Sequence, residues 1–234
     1  MHSVSWKEYI MNNLNTSIMV VGSGNMGSAI IQALKQASIP IFQVVNTTHP
    51  PHISKNKKPS MIIDFSHPDC LYWIAPYIQK YHIPFIGGTT GYKDDQLEIL
   101  LKLSHNSPVF YDTNYSLGIA LLKKMIQTSA SLLTSHFQIE ISELHHQKKK
   151  DSPSGTAKQL QHLLEAFSND TIPIHSIRGG SSPGTHTIYF LGNGEELIFQ
   201  HISHQRSIFT DGILQAITFL EDKTNGFYTM NDIC

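Results

Sequence analysis

The sequence predicts an α/β protein in which a doubly wound parallel sheet is followed by a smaller α+β domain with a mixed, mostly antiparallel sheet. In the first half of the chain, short apolar runs alternate with segments of helical periodicity, as in parallel strands buried on both faces. In the second half, strands with alternating apolar and polar residues surround one helix, which is typical of an antiparallel or mixed sheet. We therefore expect two domains, one from residues 1–114 with 213–234 and one from residues 115–212.

The expected strands of the first domain are short apolar runs at residues 18–21, 41–45, 61–65, 83–86 and 109–111. Helical periodicity between them predicts helices over residues 25–37, 68–81 and 94–104. Pro76 falls inside the second helix and is expected to kink it, because proline donates no backbone hydrogen bond to the preceding turn. Residues 47–59 are the nearest thing to a flexible linker.

The second domain is expected to begin with a long helix over residues 116–133, with Ser116 as its N-cap. A half-buried strand at residues 136–144 follows, and then a helix from Ser154 to about Phe167. Three further strands are expected at residues 174–177, 185–191 and 196–203, and Gly192-Asn193-Gly194 joins the last two as a hairpin. A final helix over residues 205–220 is expected to return to the first domain.

Composition excludes several classes of protein. Of the 234 residues 40% are hydrophobic and 15% charged, and the formal net charge of −1 favours neither nucleic acid nor an anionic membrane. The cysteines, Cys70 and Cys234, make no disulfide framework and no Cys-x-x-Cys pair, and we expect no metal. Residues 1–15 lack the apolar segment of a signal peptide, and no apolar run reaches the roughly 18 residues of a membrane span. We therefore expect a cytoplasmic protein.

Gly22-Ser23-Gly24-Asn25-Met26-Gly27 lies between the first strand and the first helix and matches the pattern G-x-G-x-x-G. In a dinucleotide site the first glycine allows a tight turn, the second lets the backbone approach a pyrophosphate, and the third lets the helix press on the sheet. The N-terminal end of the helix then holds the pyrophosphate. The pattern predicts dinucleotide binding, and a turn with a purely structural role is the alternative.

The acidic residue that would bind the adenine ribose is missing from the end of the second strand, which reads Val45-Asn46-Thr47-Thr48-His49. A neutral strand end does not repel a 2′-phosphate, so NADPH is permitted at this position, and the choice between NADPH and NADH stays open. The nearby lysines either supply a countercharge or stand in solvent: Lys55, Lys57 and Lys58. Two loops follow the fourth and fifth strands, where the nicotinamide ribose would lie unless they are ordinary turns: Gly88-Thr89-Thr90-Gly91 and Asp112-Thr113-Asn114-Tyr115.

A cationic segment closes one strand and opens the next helix, and it reads Glu143-Leu144-His145-His146, then Lys148-Lys149-Lys150, then Asp151-Ser152-Pro153-Ser154-Gly155-Thr156. Its two imidazoles and its ammonium groups can bind an anion and exchange a proton near neutral pH. The helix start adds backbone N–H donors for an anion. A small substrate with several carboxylates fits both parts, whereas a solvated lysine run beside an incidental histidine pair is the alternative.

These motifs resemble those of the 4-hydroxy-tetrahydrodipicolinate reductase (dihydrodipicolinate reductase) family of bacterial and plant lysine biosynthesis. The most specific of them is Glu143-x-His-His-x-x-Lys-x-Asp-x-Pro-Ser-Gly-Thr-Ala157. The others, which extend the resemblance over residues 18–212, are the glycine-rich turn, Ile62-Ile-Asp-Phe-Ser66, Gly88-Thr-Thr-Gly91, Asn114-Tyr-Ser-Leu-Gly118, Ser176-Ile-Arg-Gly-Gly180, His186-Thr187, His201 and Phe209-x-x-Gly212.

The resemblance implies a Rossmann domain, a mixed-sheet domain that forms a homotetramer, and reduction of a small dicarboxylate by NADPH or NADH. It implies that His145 and Lys149 transfer protons, and that His146, Gly155 and Thr156 bind substrate. The residues that it assigns to the cofactor are Gly22, Ser23, Gly24, Asn25, Met26, Gly27, Gly88, Thr89, Thr90, Asp112, Thr113, Asn114 and Tyr115.

Three departures from the family pattern concern the cofactor more than the proton-transfer residues. The chain is short between Asn46 and Ser60, the acidic ribose-binding residue is absent, and a family Gly-Glu-His-Thr stretch has Thr185 in place of glutamate. Two other functions stay open at this point. One is another Rossmann dehydrogenase that acts on a dicarboxylate imine, and the other is a dinucleotide sensor without catalysis.

Overall fold

The computed structural model describes residues 17–46, 51, 53–54 and 56–234. Residues 1–15, for which no signal peptide is expected, lie outside the described residues, as do Lys55 and part of the expected linker. The chain divides into two compact units, Met1–Tyr115 with Phe209–Ile233 and Ser116–Ile208 with Cys234. Each unit has its own sheet and its own hydrophobic core.

The first unit is built on six strands: β1 (Ile18–Val21), β2 (Ile41–Val45), β3 (Met61–Asp64), β4 (Phe85–Gly87), β5 (Pro108–Tyr111) and β10 (Gly226–Tyr228). All of their pairings are parallel, in the order β10-β5-β4-β3-β1-β2. The helices along this part of the chain are α1 (Asn25–Gln36), α2 (Cys70–Tyr81), α3 (Asp94–Ser104) and most of α6 (Ser207–Leu220). The predicted doubly wound parallel sheet is confirmed.

The central strands β1 and β3 are buried along their whole length, because other strands flank both of their edges and the side chains on both of their faces are covered. Met19 and Ile62 pack in one cluster with Ile74 of α2 and Leu100 of α3. A strand covered on both faces reads as an uninterrupted apolar run, which is the pattern that predicted it. This packing fixes the carboxyl ends of the strands, where the loops of the candidate cofactor site begin.

Some element boundaries in the first unit differ from the prediction. Helix α2 begins at Cys70, whose backbone N–H donates to the His67 carbonyl in a turn, and the helix continues past Pro76 to Tyr81. Strand β4 begins two residues later than expected, because the Ile83 N–H still donates to Ile78 at the end of α2. Strand β10 was not predicted, since three residues are too few to show a period.

The second unit is built on a four-stranded sheet with two helices. Its strands are β6 (Gln138–His145), β7 (Ile174–Arg178), β8 (Gly184–Leu191) and β9 (Glu196–Ser203), and its helices are α4 (Leu117–His136) and α5 (Gly155–Glu165). The strand order is β7-β6-β8-β9, with β7 parallel to β6 and the other pairs antiparallel. The predicted mixed sheet and the β8–β9 hairpin are confirmed. Helix α4 runs three residues further than expected, so β6 begins at Gln138.

The two faces of this second sheet differ in character. On the inner face, Ile141 and Ile188 pack in one core cluster with Ile126 of α4 and Leu160 of α5. Residues two apart on a strand share a face, so the inner face continues from Ile141 into Glu143 and His145. The inner face is therefore apolar under the helices and polar toward the end of β6, where the second candidate site lies.

Candidate cofactor and catalytic sites

The glycine-rich turn joins β1 to α1 and has two packed glycines and one open glycine. Gly22 has a φ of +104°, and a Cβ there would stand 2.4 Å from the Phe65 carbonyl oxygen. A Cβ on Gly27 would stand 2.1 Å from the Gly22 carbonyl oxygen, whereas one on Gly24 would meet nothing within 4 Å. Gly24 is also the N-cap of α1 and makes no side-chain capping bond. The helix thus presents bare backbone at its N-terminus, which fits a pyrophosphate.

A cavity of about 300 Å³ lies within the first unit, beside this turn. Its lining includes these residues expected from the sequence: Met26, Gly88, Thr89, Thr90, Thr113, Asn114 and Tyr115. Three further lining residues, Phe65, Ser66 and Phe209, were not expected there. Each of the three belongs to a motif that carried the family resemblance, but a motif alone does not show which of its side chains face a cavity.

The walls of this cavity are held by hydrogen bonds between its loops. The Ser66 backbone N–H donates to Thr89 Oγ1 at 3.0 Å, and the buried Tyr115 hydroxyl donates to the Gly87 carbonyl at 2.8 Å. A Cβ on Gly88 would stand 2.0 Å from the Phe65 ring, so only glycine allows this close approach. The loops after β3, β4 and β5 are therefore positioned before any ligand binds.

Two acidic residues support these loops rather than line the cavity. Asp112 accepts from the backbone N–H groups of Asn114 and Met230, at 3.1 and 3.2 Å. Asp64 is fully buried and accepts from the hydroxyls of Ser66 and Tyr92. Burial raises the pKa of Asp64 to about 6, although the hydrogen bonds from Ser66 and Tyr92 act in the opposite direction.

The second site centres on Glu143, at the polar end of β6. Its Oε1 accepts from Arg178 Nη2 at 2.6 Å and from the Ser154 backbone N–H at 3.2 Å, and its Oε2 contacts His145 Nδ1. Burial raises the pKa of Glu143, but the hydrogen bonds from Arg178 and His145 outweigh burial and lower it to about 2. The carboxylate is therefore ionised, and one nitrogen of the His145 ring is committed to it.

His145 lies beside a second buried histidine, His186 of β8. The two rings meet edge to face with centroids 5.2 Å apart, and His186 Nε2 lies 3.1 Å from Ser154 Oγ. Burial and the neighbouring His145 lower the pKa of His186 to about 4. Burial also lowers the pKa of His145, although the Glu143 carboxylate acts to raise it. His186 is therefore neutral near pH 7, and the pKa of His145 is also lowered overall, because burial outweighs the opposing effect of the Glu143 carboxylate.

The three lysines of the cationic segment differ in their surroundings. Lys149 is part-buried, and its Nζ lies 2.8 Å from Asp151 Oδ1, whereas Lys148 and Lys150 are exposed. The Lys149 charge is near enough to His145 to lower the pKa of that imidazole. Lys149 is thus the lysine of this segment that shares an environment with His145.

The start of α5 and an unexpected arginine complete the cationic part of the second site. Ser154 caps the helix, its Oγ accepting from the Ala157 backbone N–H at 3.2 Å, and Gly155 is exposed, so a Cβ there would meet nothing within 4 Å. Arg206 Nη2 lies 3.4 Å from His146 Nε2. Arg206 was missed because it follows β9, sixty residues away from His146, and no pattern in its own segment singles it out.

Among the residues that the structure describes, no helix is long and apolar enough to cross a membrane. Within the same residues, no group of three or more His, Cys, Asp or Glu side chains is placed to hold a metal ion.

Comparisons with known proteins agree along nearly the whole chain. Family models described as "Dihydrodipicolinate reductase, N-terminus" and "Dihydrodipicolinate reductase, C-terminus" match residues 16–115 and 118–234. The 4-hydroxy-tetrahydrodipicolinate reductase of Lawsonia intracellularis is 33% identical, over 94% of this chain and 100% of its own. The enzyme of the same name from Staphylococcus aureus (strain Mu3) is 32% identical, over 92% of this chain and 99% of its own.

A solved structure shares the fold. It is the dipicolinate-bound dihydrodipicolinate reductase from Paenisporosarcina sp. TG-14, which superimposes with a TM-score of 0.76 at 21% identity, covering 94% of this chain and all of that one. The resemblance inferred from the motifs is confirmed, and the chain belongs to the dihydrodipicolinate reductase family.

Proposed function

We propose that this chain reduces 4-hydroxy-tetrahydrodipicolinate to tetrahydrodipicolinate with NADH or NADPH, in the diaminopimelate and lysine pathway. The observation that carries the proposal is the Glu143–His145 pair beside Lys149 and the start of α5, in a chain that also has an open glycine-rich turn. Membership of the family favours this reaction over a dehydrogenase for another dicarboxylate imine and over a sensor without catalysis.

The cofactor is proposed to bind to the first unit, the Rossmann domain. The open backbone at Gly24 suits the pyrophosphate, and the cavity between the loops after β4 and β5 suits the nicotinamide and its ribose. Ser23, Asn25, Thr89, Thr90 and Asn114 would complete this site. A bound NADH or NADPH would supply the hydride.

The two substrate carboxylates are proposed to bind to the cationic part of the second unit. His146 lies beside the Arg206 guanidinium, which is a permanent cation suited to a carboxylate. Gly155 and Thr156 stand in the first turn of α5, where the helix dipole favours an anion. Two such points would fix the orientation of a ring that carries a carboxylate on each side of its nitrogen.

His145 and Lys149 are proposed to supply the proton. The C4 hydroxyl and a C5 hydrogen must first leave as water, which places a C=C bond in conjugation with the ring C=N bond. When a hydride then adds at C4, negative charge develops on the conjugated ring nitrogen, and a nearby acid must neutralise it. The Glu143 carboxylate stabilises the protonated His145 imidazole against burial, which lowers the pKa of His145 overall, and Lys149 carries donors on an ammonium group.

We also propose that the protein is a cytoplasmic homotetramer whose only small-molecule partners are cofactor and dicarboxylate, with neither nucleic acid nor membrane. The tetramer is supported by the outer face of the second sheet, where large apolar side chains are about half exposed. These are Ile177, Ile198 and Ile202.

The test of the proposed function is oxidation of NADH and of NADPH by the purified protein with freshly prepared 4-hydroxy-tetrahydrodipicolinate. We expect turnover, and we expect Lys149→Ala to lower kcat about 100-fold or more while cofactor affinity stays nearly unchanged. Lys148→Ala, which removes an exposed neighbouring lysine, is the matched control and should keep full activity. Folded protein that oxidises neither cofactor with this substrate would exclude the proposed function.

A further inference from the structure

Glu143 is a buried charge whose hydrogen bonds reach two parts of the second site. Its side chain has no exposed surface, and it lies in contact with His145, Arg178 and the Ser154 backbone. A buried carboxylate is stable only when such partners replace the water that it has lost. A core position of this kind is ordinarily apolar. The groups that the Glu143 carboxylate holds in place are therefore the explanation to look for.

The contact with Glu143 fixes the chemical state of the His145 ring. Because an ionised carboxylate accepts hydrogen bonds only, the proton of the neutral imidazole must be on Nδ1, which faces Glu143 Oε2. Nε2 is then the nitrogen that gains and loses a proton. Gly184 leaves space at this nitrogen, since a Cβ there would stand 2.8 Å from it.

The same carboxylate also holds the start of α5. Its Oε1 accepts from the backbone N–H of Ser154, the residue that caps this helix. The Ser154 hydroxyl in turn lies 3.1 Å from His186, whose ring packs edge-on against His145. Glu143 thus holds the His145 imidazole through Oε2 and the first turn of α5 through Oε1.

We propose that Glu143 is a positioning residue, which holds the His145 imidazole and the first turn of α5 in one fixed relation. A single substrate then meets the proton donor and the carboxylate-binding turn together. Arg178 completes the arrangement, because its guanidinium binds Glu143 Oε1 at 2.6 Å and the Asp151 carbonyl at 2.7 Å. The inference rests on the proposed function, in which His145 donates the proton.

The charge of Glu143 also opposes every other influence on His145. The groups that face or neighbour this imidazole are Glu143 on its own strand, Arg178 on β7, His186 on β8 and Lys149 in the loop after β6. Burial lowers the pKa of His145, Glu143 raises it, and the cations Lys149 and Arg178 lower it. Loss of the Glu143 charge should therefore lower the pKa of His145 further.

The variant that tests the proposal is Glu143→Gln, which keeps the size of the side chain and removes its charge. We expect the pH at which kcat/KM declines on the alkaline side to fall by about one unit or more. We also expect kcat near neutral pH to fall about tenfold or more. The matched control is Glu140→Gln on the same strand, which removes a glutamate 2.7 Å from His175 on the opposite face and should leave the pH profile unchanged.

A substrate-free measurement separates this proposal from the proposed function. In an NMR titration of the histidines, the His145 signal is assigned by its absence from His145→Gln, and in Glu143→Gln it should titrate at lower pH. If Glu143→Gln does not fold, the double variant E143Q/R178M leaves neither buried charge unpaired. Its His145 titration and pH profile are then compared with those of Arg178→Met, so that the loss of the Arg178 charge is common to both and the difference reports the Glu143 charge. Inactive wild-type protein would count against the proposed function alone, whereas an unshifted His145 titration and pH profile would overturn the role of Glu143.

Discussion

Asp64 is a carboxylate at the end of β3 that the protein buries beside its candidate cofactor cavity. It accepts from the hydroxyls of Ser66, which lines that cavity, and of Tyr92. Burial raises the pKa of Asp64 from 3.8 to about 6 despite these bonds, so the folded state binds its proton more tightly than the unfolded state does. The protonated carboxyl therefore stabilises the first unit below about pH 3.8, and this stability is lost as the pH rises through 6.

We expect Asp64→Asn to remove this dependence on pH, because the amide keeps the volume and has no charge to bury. Between the two pKa values the wild-type protein should lose on the order of 3 kcal/mol of unfolding free energy relative to the variant as pH rises. Denaturation followed by the fluorescence of Trp73, which belongs to the first unit, measures the difference. Asp69→Asn, at a mostly exposed carboxylate, is the control. Parallel stability curves for wild type and Asp64→Asn would contradict the prediction.

At the scale of an element, the β1–α1 turn contains two glycines with different roles. Gly27 packs against the protein, whereas Gly24 is expected to bind the cofactor. Gly27→Ala would bring a Cβ to 2.1 Å from the Gly22 carbonyl, so the helix must move and the first unit should lose about 1–3 kcal/mol of stability. Gly24→Ala meets no protein atom within 4 Å, and at an N-cap it should cost no more than about 1 kcal/mol. Its methyl group would instead stand where the pyrophosphate approaches the backbone.

The two alanine variants are matched, and they should separate affinity from stability. Titration calorimetry with NADH or NADPH should show that Gly24→Ala weakens cofactor binding about tenfold or more, which corresponds to about 1.4 kcal/mol, in a protein of nearly normal thermal stability. Gly27→Ala should lower the melting temperature clearly. Unchanged cofactor affinity in Gly24→Ala would mean that the turn is structural only.

The same elements show why the sequence predicted some features and not others. Helix α3 was predicted with its observed bounds, because eleven residues display a full amphipathic period. Strand β10 was not predicted, since its three residues become a strand only through pairing with β5, which is more than a hundred residues away in the chain. The end of α4 was misplaced because Leu133 closes a turn with Phe137, a choice that packing makes rather than local propensity.

Some residues of the candidate site could likewise be predicted from the sequence, and others could not. His145, Lys149 and the cap at Ser154 lie within one short segment, so their types and spacing could be read together. Arg178 and His186 reach Glu143 and His145 only because β7 and β8 flank β6 in the sheet. Contacts between neighbouring strands leave no characteristic spacing in the sequence. The sequence therefore placed Arg178 and His186 in family motifs but assigned neither residue a role.

At the scale of the whole molecule, the second sheet has one face that its own helices do not cover. Leu144 and Ile177 are opposite each other on β6 and β7, and Tyr189 and Ile198 are opposite each other on β8 and β9. Ile177 and Ile198 are each about half exposed, and Ile202 extends the patch along β9. Monomeric proteins seldom leave apolar side chains so grouped, whereas interfaces between copies use such patches. This face is therefore the proposed contact between subunits.

We expect Ile198→Asp to dissociate the tetramer, because a charge on the outer face of β9 would have to be buried unpaired in the interface. Leu101→Asp is the matched control: Leu101 on α3 is 51% exposed, close to the 49% of Ile198, but it lies in the first unit. Sedimentation velocity should show a smaller species for Ile198→Asp and an unchanged one for Leu101→Asp, with both variants folded by circular dichroism. A tetramer that persists in Ile198→Asp, or a wild-type protein that sediments as a monomer, would show that copies of the chain do not meet through this face.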